Sequence, residues 1–362
     1  MSLLLIKARR LLVSALVAMG ITGGFVGSAL ALTCTPGVGF NTTTGFELGC
    51  ASSALWSVLS VNQSLTSGAS APILEFNNGG INGSVGSVGN IGAYGGVKVN
   101  ADANATFSGN IMVQSGTTPA TDTSGVIMGA PPDPSIVVDN ALLTQARADA
   151  LLAASQAAAL TANQTFGAIT DLKTINATKS GLNVIKITGG ISLNGALKVL
   201  TFNTGSYSNV EFVVNITGGN FNMANYAKVV LTGGSTADPF NYTDLLFNVQ
   251  GAQTVSLGTH SQVAGIILDV GGNVNMSQST VTGEVIGGHD IHLWNSSTVV
   301  NNTASTANVI SGCTTDPVTG VMTCVIRTAP EPGTIALLVL GLLGVFGARM
   351  RQRGRPLSVV PA

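Results

Sequence analysis

Residues 255–299 read VSLGTHSQVAGIILDVGGNVNMSQSTVTGEVIGGHDIHLWNSSTV, and three passes of one pattern lie inside them. Val255, Val274 and Ile291 correspond, as do Leu257, Met276 and Leu293. Val263, Val281 and Val299 form a further set, Gly265 and Gly283 another, and Ile267 and Val285 a last one. The repeat is 17 to 19 residues long. Apolar residues alternate in short bursts broken by Gly, Asn and Ser, which is strand periodicity interrupted by turns. A repeat this short has no room for a helix. It predicts a mostly β fold: a parallel β-solenoid of about three short strands per turn, with turns stacked at roughly 4.8 Å.

Earlier segments echo the pattern. Leu74–Val85 and Phe107–Ile111 carry the same alternation and the same apolar-x-Gly-x-apolar ending, and Asn215–Met223 matches Gly271–Met276. Composition agrees. Charged residues make up 9 % of the 362, aromatics 5 %, and there are 46 glycines, a mixture suited to a thin interior of small aliphatic side chains rather than one thick core. One segment differs: DNALLTQARADALLAASQAAALTAN, residues 139–163, is alanine-rich and free of Gly and Pro. Asp139 caps it. Leu142, Leu143, Ala146, Ala150, Ala153, Ala157 and Leu160 form an apolar stripe that should pack along the solenoid's side, leaving arginine and aspartate in water.

Both ends read as addresses. Lys7, Arg9 and Arg10, an apolar run, and Ala29-Leu30-Ala31 make a secretory signal peptide over residues 1–31, cleaved after Ala31. Thr33 before Cys34 does not fit a lipobox. At the other end, Pro330-Glu331-Pro332 precedes a 15-residue uncharged run, 334–348, and Arg349, Arg351, Arg353 and Arg355 follow. Such a run is short for a transmembrane helix, and the arginines would stay cytoplasmic. Without the two ends, eight basic and fifteen acidic residues remain, a net charge near −7 that argues against nucleic acid as a partner. Four cysteines, Cys34, Cys50, Cys313 and Cys324, are disulfide candidates in an exported chain. Three pairings are open, and local pairing is the simplest.

Residues 329–355 closely resemble a PEP-CTERM sorting signal. The resemblance implies export in a Gram-negative bacterium, transient anchorage in the inner membrane, processing by exosortase, and residence at the cell surface or in the extracellular matrix. Residues 55–302 resemble the choice-of-anchor A family of surface adhesins. The resemblance rests on Asn183–Ile187, Phe212–Ile216, Leu246–Asn248 and Val263–Leu268, although Asp269-Val270 replaces the family's Ala-Pro. The expected layout is a Cys-containing segment over 32–54, the solenoid over 55–302, a Cys-stapled hairpin or linker over 303–328, the sorting signal, and a tail over 356–362.

Sequence motifs for chemistry are scarce. His289 and His292 face opposite sides of a strand and predict no metal site, and no cofactor motif is present. Glu284, Asp269 and Asp290 read as solvated surface positions. Asn-x-Ser/Thr triplets such as Asn163-Gln164-Thr165 read as part of a polar surface of turns. The expectation is a non-enzymatic surface or biofilm-matrix protein associated with extracellular polysaccharide, with Trp294 available for stacking. Two alternatives stand beside it. One is an ice-binding solenoid with Thr254, Thr259, Thr280, Thr282 and Thr298 on a flat face. The other is a polysaccharide-active enzyme, for which no acid/base set is visible.

Overall fold

The computed structural model describes residues 30–34, 37–43, 45–52, 55–61, 73–77, 85–88, 90–94, 98–101, 105–107, 109, 111–114, 136–236, 238–301, 308–315 and 322–328. Contacts divide the chain into a unit over 31–326 and a second made of residues 1–30 and 327–362. The second is almost entirely outside the described residues. That includes the signal peptide with Ala29, the sorting residues Pro330, Glu331 and Pro332, and the run 334–348. Among the described residues no helix is long and apolar enough to cross a membrane.

The unit over 31–326 is mostly parallel β with one long helix. Each turn of the chain adds strands to three parallel ladders. Ladder A runs, in spatial order, through Ile111–Val113, Asn90–Ala93, Trp56–Ser60, the second halves of Thr280–Gly287 and Gln262–Asp269, Leu245–Val249, Val210–Ile216 and Gly181–Ile187. Ladder B holds Lys173–Asn176, Val199–Asn203, Lys228–Thr232, the first halves of those two long strands, Thr298–Val300, Val85–Val88 and Ala105–Phe107. Ladder C holds Ile191–Asn194, Phe221–Ala224, Thr254–Leu257, Asn273–Ser277, Ile291–Trp294, Ile73–Asn77 and Lys98–Ala101.

The repeat read from the sequence is the register of these ladders. Val255 pairs with Val274 and Val274 with Ile291, while Leu257 pairs with Met276 and Met276 with Leu293. Val263 pairs with Val281 and Val281 with Val299. Inward side chains of all three ladders meet in one cluster that includes Phe76, Phe202, Phe212, Phe221 and Phe247. Two strands of eight residues pass from ladder B into ladder A at Gly265 and Gly283, whose φ angles are 140° and 142°. Only glycine accepts that corner readily.

Spatial order departs from chain order. Trp56–Ser60, the first strand of ladder A in sequence, pairs with Thr280–Gly287, the last. The same turn also pairs Ile291 with Leu74 and Thr298 with Gly86. The chain therefore starts in the middle of the stack and builds one half outward. It then crosses along the helix and builds the second half back to the middle.

The helix spans Asn140–Ala159, with Asp139 Oδ1 accepting the Leu142 amide at 2.9 Å. It stops four residues short of Asn163 because Asn163 already belongs to the edge of ladder A: its amide donates to Val184 O and its Oδ1 accepts the Val184 amide, both at 2.7 Å. Its stripe of Leu142, Leu143, Ala146, Ala150, Ala153 and Ala157 packs in one cluster with Leu182, Val213, Leu246, Ile266 and Ile286 of ladder A. Near the helix end, Asn215 Nδ2 donates to Ala157 O at 2.6 Å and Asn248 Nδ2 to Ala154 O at 3.1 Å.

Helix residues expected in water are held instead. Asp149 is 2 % exposed and accepts the amides of Gly37 and Cys50 at 3.3 and 2.7 Å. Arg147 Nε donates to Val61 O, and its guanidinium lies over the Tyr94 ring. Asp149 is covered by the N-terminal segment, closed by a Cys34–Cys50 disulfide, which docks on the helix, and Arg147 by residues that follow the ladder A strands Trp56–Ser60 and Asn90–Ala93. At the other end, Asn308–Thr315 and Met322–Thr328 are neighbouring strands of a small sheet. The side chains of Cys313 and Cys324 lie outside the described residues.

Candidate functional site

Ladder A is covered by the helix, so ladders B and C are the faces left to act. On ladder B the outward positions form rows in register: Thr174 with Thr201 and Val230; Lys228 with Gln262, Thr280 and Thr298; Ala264 with Thr282 and Val300. Their partners Leu200, Val229, Val263, Val281 and Val299 point inward and are buried. The outer surface is therefore a strand-spaced array of hydroxyls and methyls. Among the described residues of these rows, Lys228 is the single charge.

Ladder C is more polar and carries charge. Ser192, Asn222, Ser256, Asn275, His292 and Glu75 follow one another across its strands. A shallow groove of about 330 Å³ runs over the first four, Ser192 to Asn275, and ends at Trp294. Glu75 Oε2 takes both His292 Nδ1, at 2.9 Å, and Trp294 Nε1, at 2.8 Å, so Trp294 is fixed in place rather than free to swing. Asp290 Oδ1 accepts the Ile73 amide at 2.9 Å. His289 stands in the preceding turn, 3.4 Å from Asp290. Among the described residues no cluster of histidine, cysteine or carboxylate could hold a metal ion.

Thr280, Thr282 and Thr298 thus share ladder B. Thr254 lies instead on ladder C, and Thr259 at a corner with φ of 32°. The rows Thr174–Thr201 and Ala264–Thr282–Val300 were missed, because their members are far apart in sequence and only the register unites them.

Elsewhere, carboxylates line a cavity of about 370 Å³ beside Glu211, Asp238 and Asp244. Each accepts a backbone amide: Asp244 closes a local turn by taking the Asn241 amide at 2.8 Å, while Glu211 takes the Phe46 amide at 2.7 Å and Asp238 the Asn209 amide at 2.5 Å from segments distant in sequence. Burial pushes Glu211 up to about 7, the Phe46 amide opposing it and Asp244 and Glu47 adding to it. Burial likewise raises Asp244.

Glu284 and Asp269 are not at the surface. Both are fully buried. Alternation places Glu284 outward on ladder A, where the helix and the N-terminal segment cover what the strand pattern alone would leave in water.

Residues 68–300 match the family model described as ice-binding-like. The chain belongs to the ice-binding-like family. Residues 328–352 match the PEP-CTERM protein-sorting motif, which implies export and exosortase-mediated sorting to the cell surface. Similar solved structures include an ice-binding protein from the Antarctic ascomycete Antarctomyces psychrotrophicus, 18 % identical over 71 % of this chain and 98 % of that one, TM-score 0.44. The antifreeze protein LeIBP from an Arctic yeast is 21 % identical over 70 % and 92 %, TM-score 0.43. The DUF3494 domain of Shewanella frigidimarina ice-binding protein_1 is 19 % identical over 70 % and 96 %, TM-score 0.42. Among curated proteins nothing matches.

Membership of the ice-binding-like family corrects two expectations. The domain is not a choice-of-anchor A adhesin, and the adhesion and polysaccharide-matrix role falls with it. Asn183–Ile187, Phe212–Ile216 and Leu246–Asn248 lie on ladder A, and Val263–Leu268 enters it after Gly265. Their aliphatic phrases report a sheet buried on both sides, which any stack with a helix on its flank requires. The property that names the ice-binding-like family is binding, and no step of catalysis enters it.

Proposed function

We propose that the protein is an exported ice-binding β-solenoid, sorted to the cell surface by its C-terminal signal, and that ladder B is the face that meets ice. The carrying observation is the in-register threonine array of ladder B. Parallel strands repeat at roughly 4.8 Å, so the threonine hydroxyls and methyls stand in rows of fixed spacing on a flat sheet. Methyls hold first-layer water at a distance while hydroxyls anchor it, and fixed side chains lose little entropy on binding. Ladder C and the turn leading into it present Glu75, Asp290 and two imidazoles, groups that bind water strongly but impose no regular order.

Thermal hysteresis and ice-affinity partitioning of the mature chain test the reading. The wild type is expected to show a hysteresis gap above buffer. Thr282→Tyr, whose ring stands proud of ladder B, should remove most of it, whereas Asn275→Tyr on ladder C should leave it. A wild-type gap equal to buffer rejects ice binding. A gap lost with Asn275→Tyr and kept with Thr282→Tyr moves the site to ladder C.

A further inference from the structure

The two halves of the stack meet where Val285 pairs with Val58, Ile286 with Leu59 and Gly287 with Ser60. One residue before the first of these pairs stands Glu284, in register with Ile266 and fully buried. Neither of its carboxyl oxygens has a hydrogen-bond partner. The helix side of ladder A around this position is an apolar cluster that includes Leu59, Leu246, Ile266, Ile286 and the helix alanines. An ion in such a place costs several kcal/mol unless it is paired, so the carboxyl is held neutral. Burial accordingly raises it well above the ordinary glutamate value.

Nothing nearby compensates a charge on it. The neighbouring strand Gln262–Asp269 carries Asp269, also buried and pushed up to about 8 by burial, with the Gly272 amide pulling the other way. The short helix Tyr242–Asp244 brings Tyr242, whose hydroxyl donates to Asn301, and Asp244, held by the Asn241 amide. The long helix brings Arg147, engaged on Val61 and Tyr94, and Asp149, engaged on Gly37 and Cys50, with Asp139 capping its start. The N-terminal segment carries exposed Glu47. Trp56–Ser60, Asn273–Ser277 and Thr298–Val300 carry no titratable group.

We propose that Glu284 makes the seam between the two halves a proton-operated joint, closed while its carboxyl is neutral and loosened when it ionises. In the open joint the carboxyl meets water and returns to an ordinary value of about 4.3. The proton is then held more tightly closed than open. Stability of the joint is complete below that ordinary value and declines as pH rises toward the closed-state value. Across that window the opening constant grows about tenfold per pH unit.

Hydrogen exchange read by mass spectrometry on the mature chain, from pH 5 to 9, tests this. After correction for intrinsic exchange, protection of residues 56–60 and 280–287 should fall as pH rises, by about tenfold per pH unit until the closed-state value is reached. Protection of 191–194 and 199–203, strands that carry no titratable group, should not. Glu284→Gln and Glu284→Ile, the latter continuing the column of Ile266, should each abolish the slope at the seam, and Asp269→Asn should keep it. A slope surviving in both Glu284 variants, or lost in Asp269→Asn, overturns the proposal. So does a wild-type slope that is absent at the seam or equal in all ladders, a result that needs no variant to fold.

Discussion

A β-carbon on Gly283 would lie 2.1 Å from the carbonyl oxygen of Gly265 in the turn beneath it, and the backbone there already sits at φ 142°. Both obstacles are backbone, so no side chain can yield. Gly283→Ala should cost more than about 2 kcal/mol, seen as a lower urea midpoint. Asp149 is the second residue on which much depends. Asp149→Ala removes the acceptor of two amides in the N-terminal segment and should cost about 2 kcal/mol, measured the same way. The glycine was visible in the sequence as part of a repeated phrase, though its reason, a corner between two ladders, was not. Asp149 was misread as water-facing. Helical periodicity places a residue on a face, but it cannot foresee a segment a hundred residues upstream folding over that face.

The helix lies close to its sheet because its stripe is alanine: Ala146, Ala150, Ala153 and Ala157 are fully buried. A larger side chain has no space to occupy. Ala153→Leu should therefore destabilise by about 1–3 kcal/mol in thermal or denaturant unfolding, despite its better burial of apolar surface. At this scale the sequence was most informative. The alternation and spacing of residues 255–299 gave strand register to the residue, and the alanine-rich run gave the helix within a few positions. Side-chain environment was less legible. Glu284 has the outward parity of a surface residue, and only the helix laid across ladder A turns that position into interior.

On the scale of the whole molecule, the buried carboxyls Asp269 and Glu284 and the half-buried Glu211 act together. Burial pushes Asp269 up to about 8 and Glu211 up to about 7, and raises Glu284 as well. Each binds its proton more tightly folded than unfolded. The contribution of each is complete below the ordinary carboxylate range, and that of Glu211 and Asp269 is lost as pH rises through 7 to 8. The melting temperature should be higher at pH 5 than at pH 8.5, as calorimetry would record. The order of turns was the part the sequence hid. Similarity between turns says that they stack, but it does not say which turn sits beside which. His292 and Glu75 touch across 217 residues of chain, a pairing that no local pattern announces.

That non-sequential stack also decides how the molecule bears load. Asn301 Nδ2 donates to Trp56 O at 2.5 Å, so the chain enters and leaves the stack at one point. Tension applied between Trp56 and Asn301 falls first on this seam, where Thr280–Gly287 and Thr298–Val300 pair with Trp56–Ser60 and Val85–Val88. A tug where the chain joins the stack is therefore felt first at Thr280, Thr282 and Thr298, while Thr174 and Thr201 stand turns away from it.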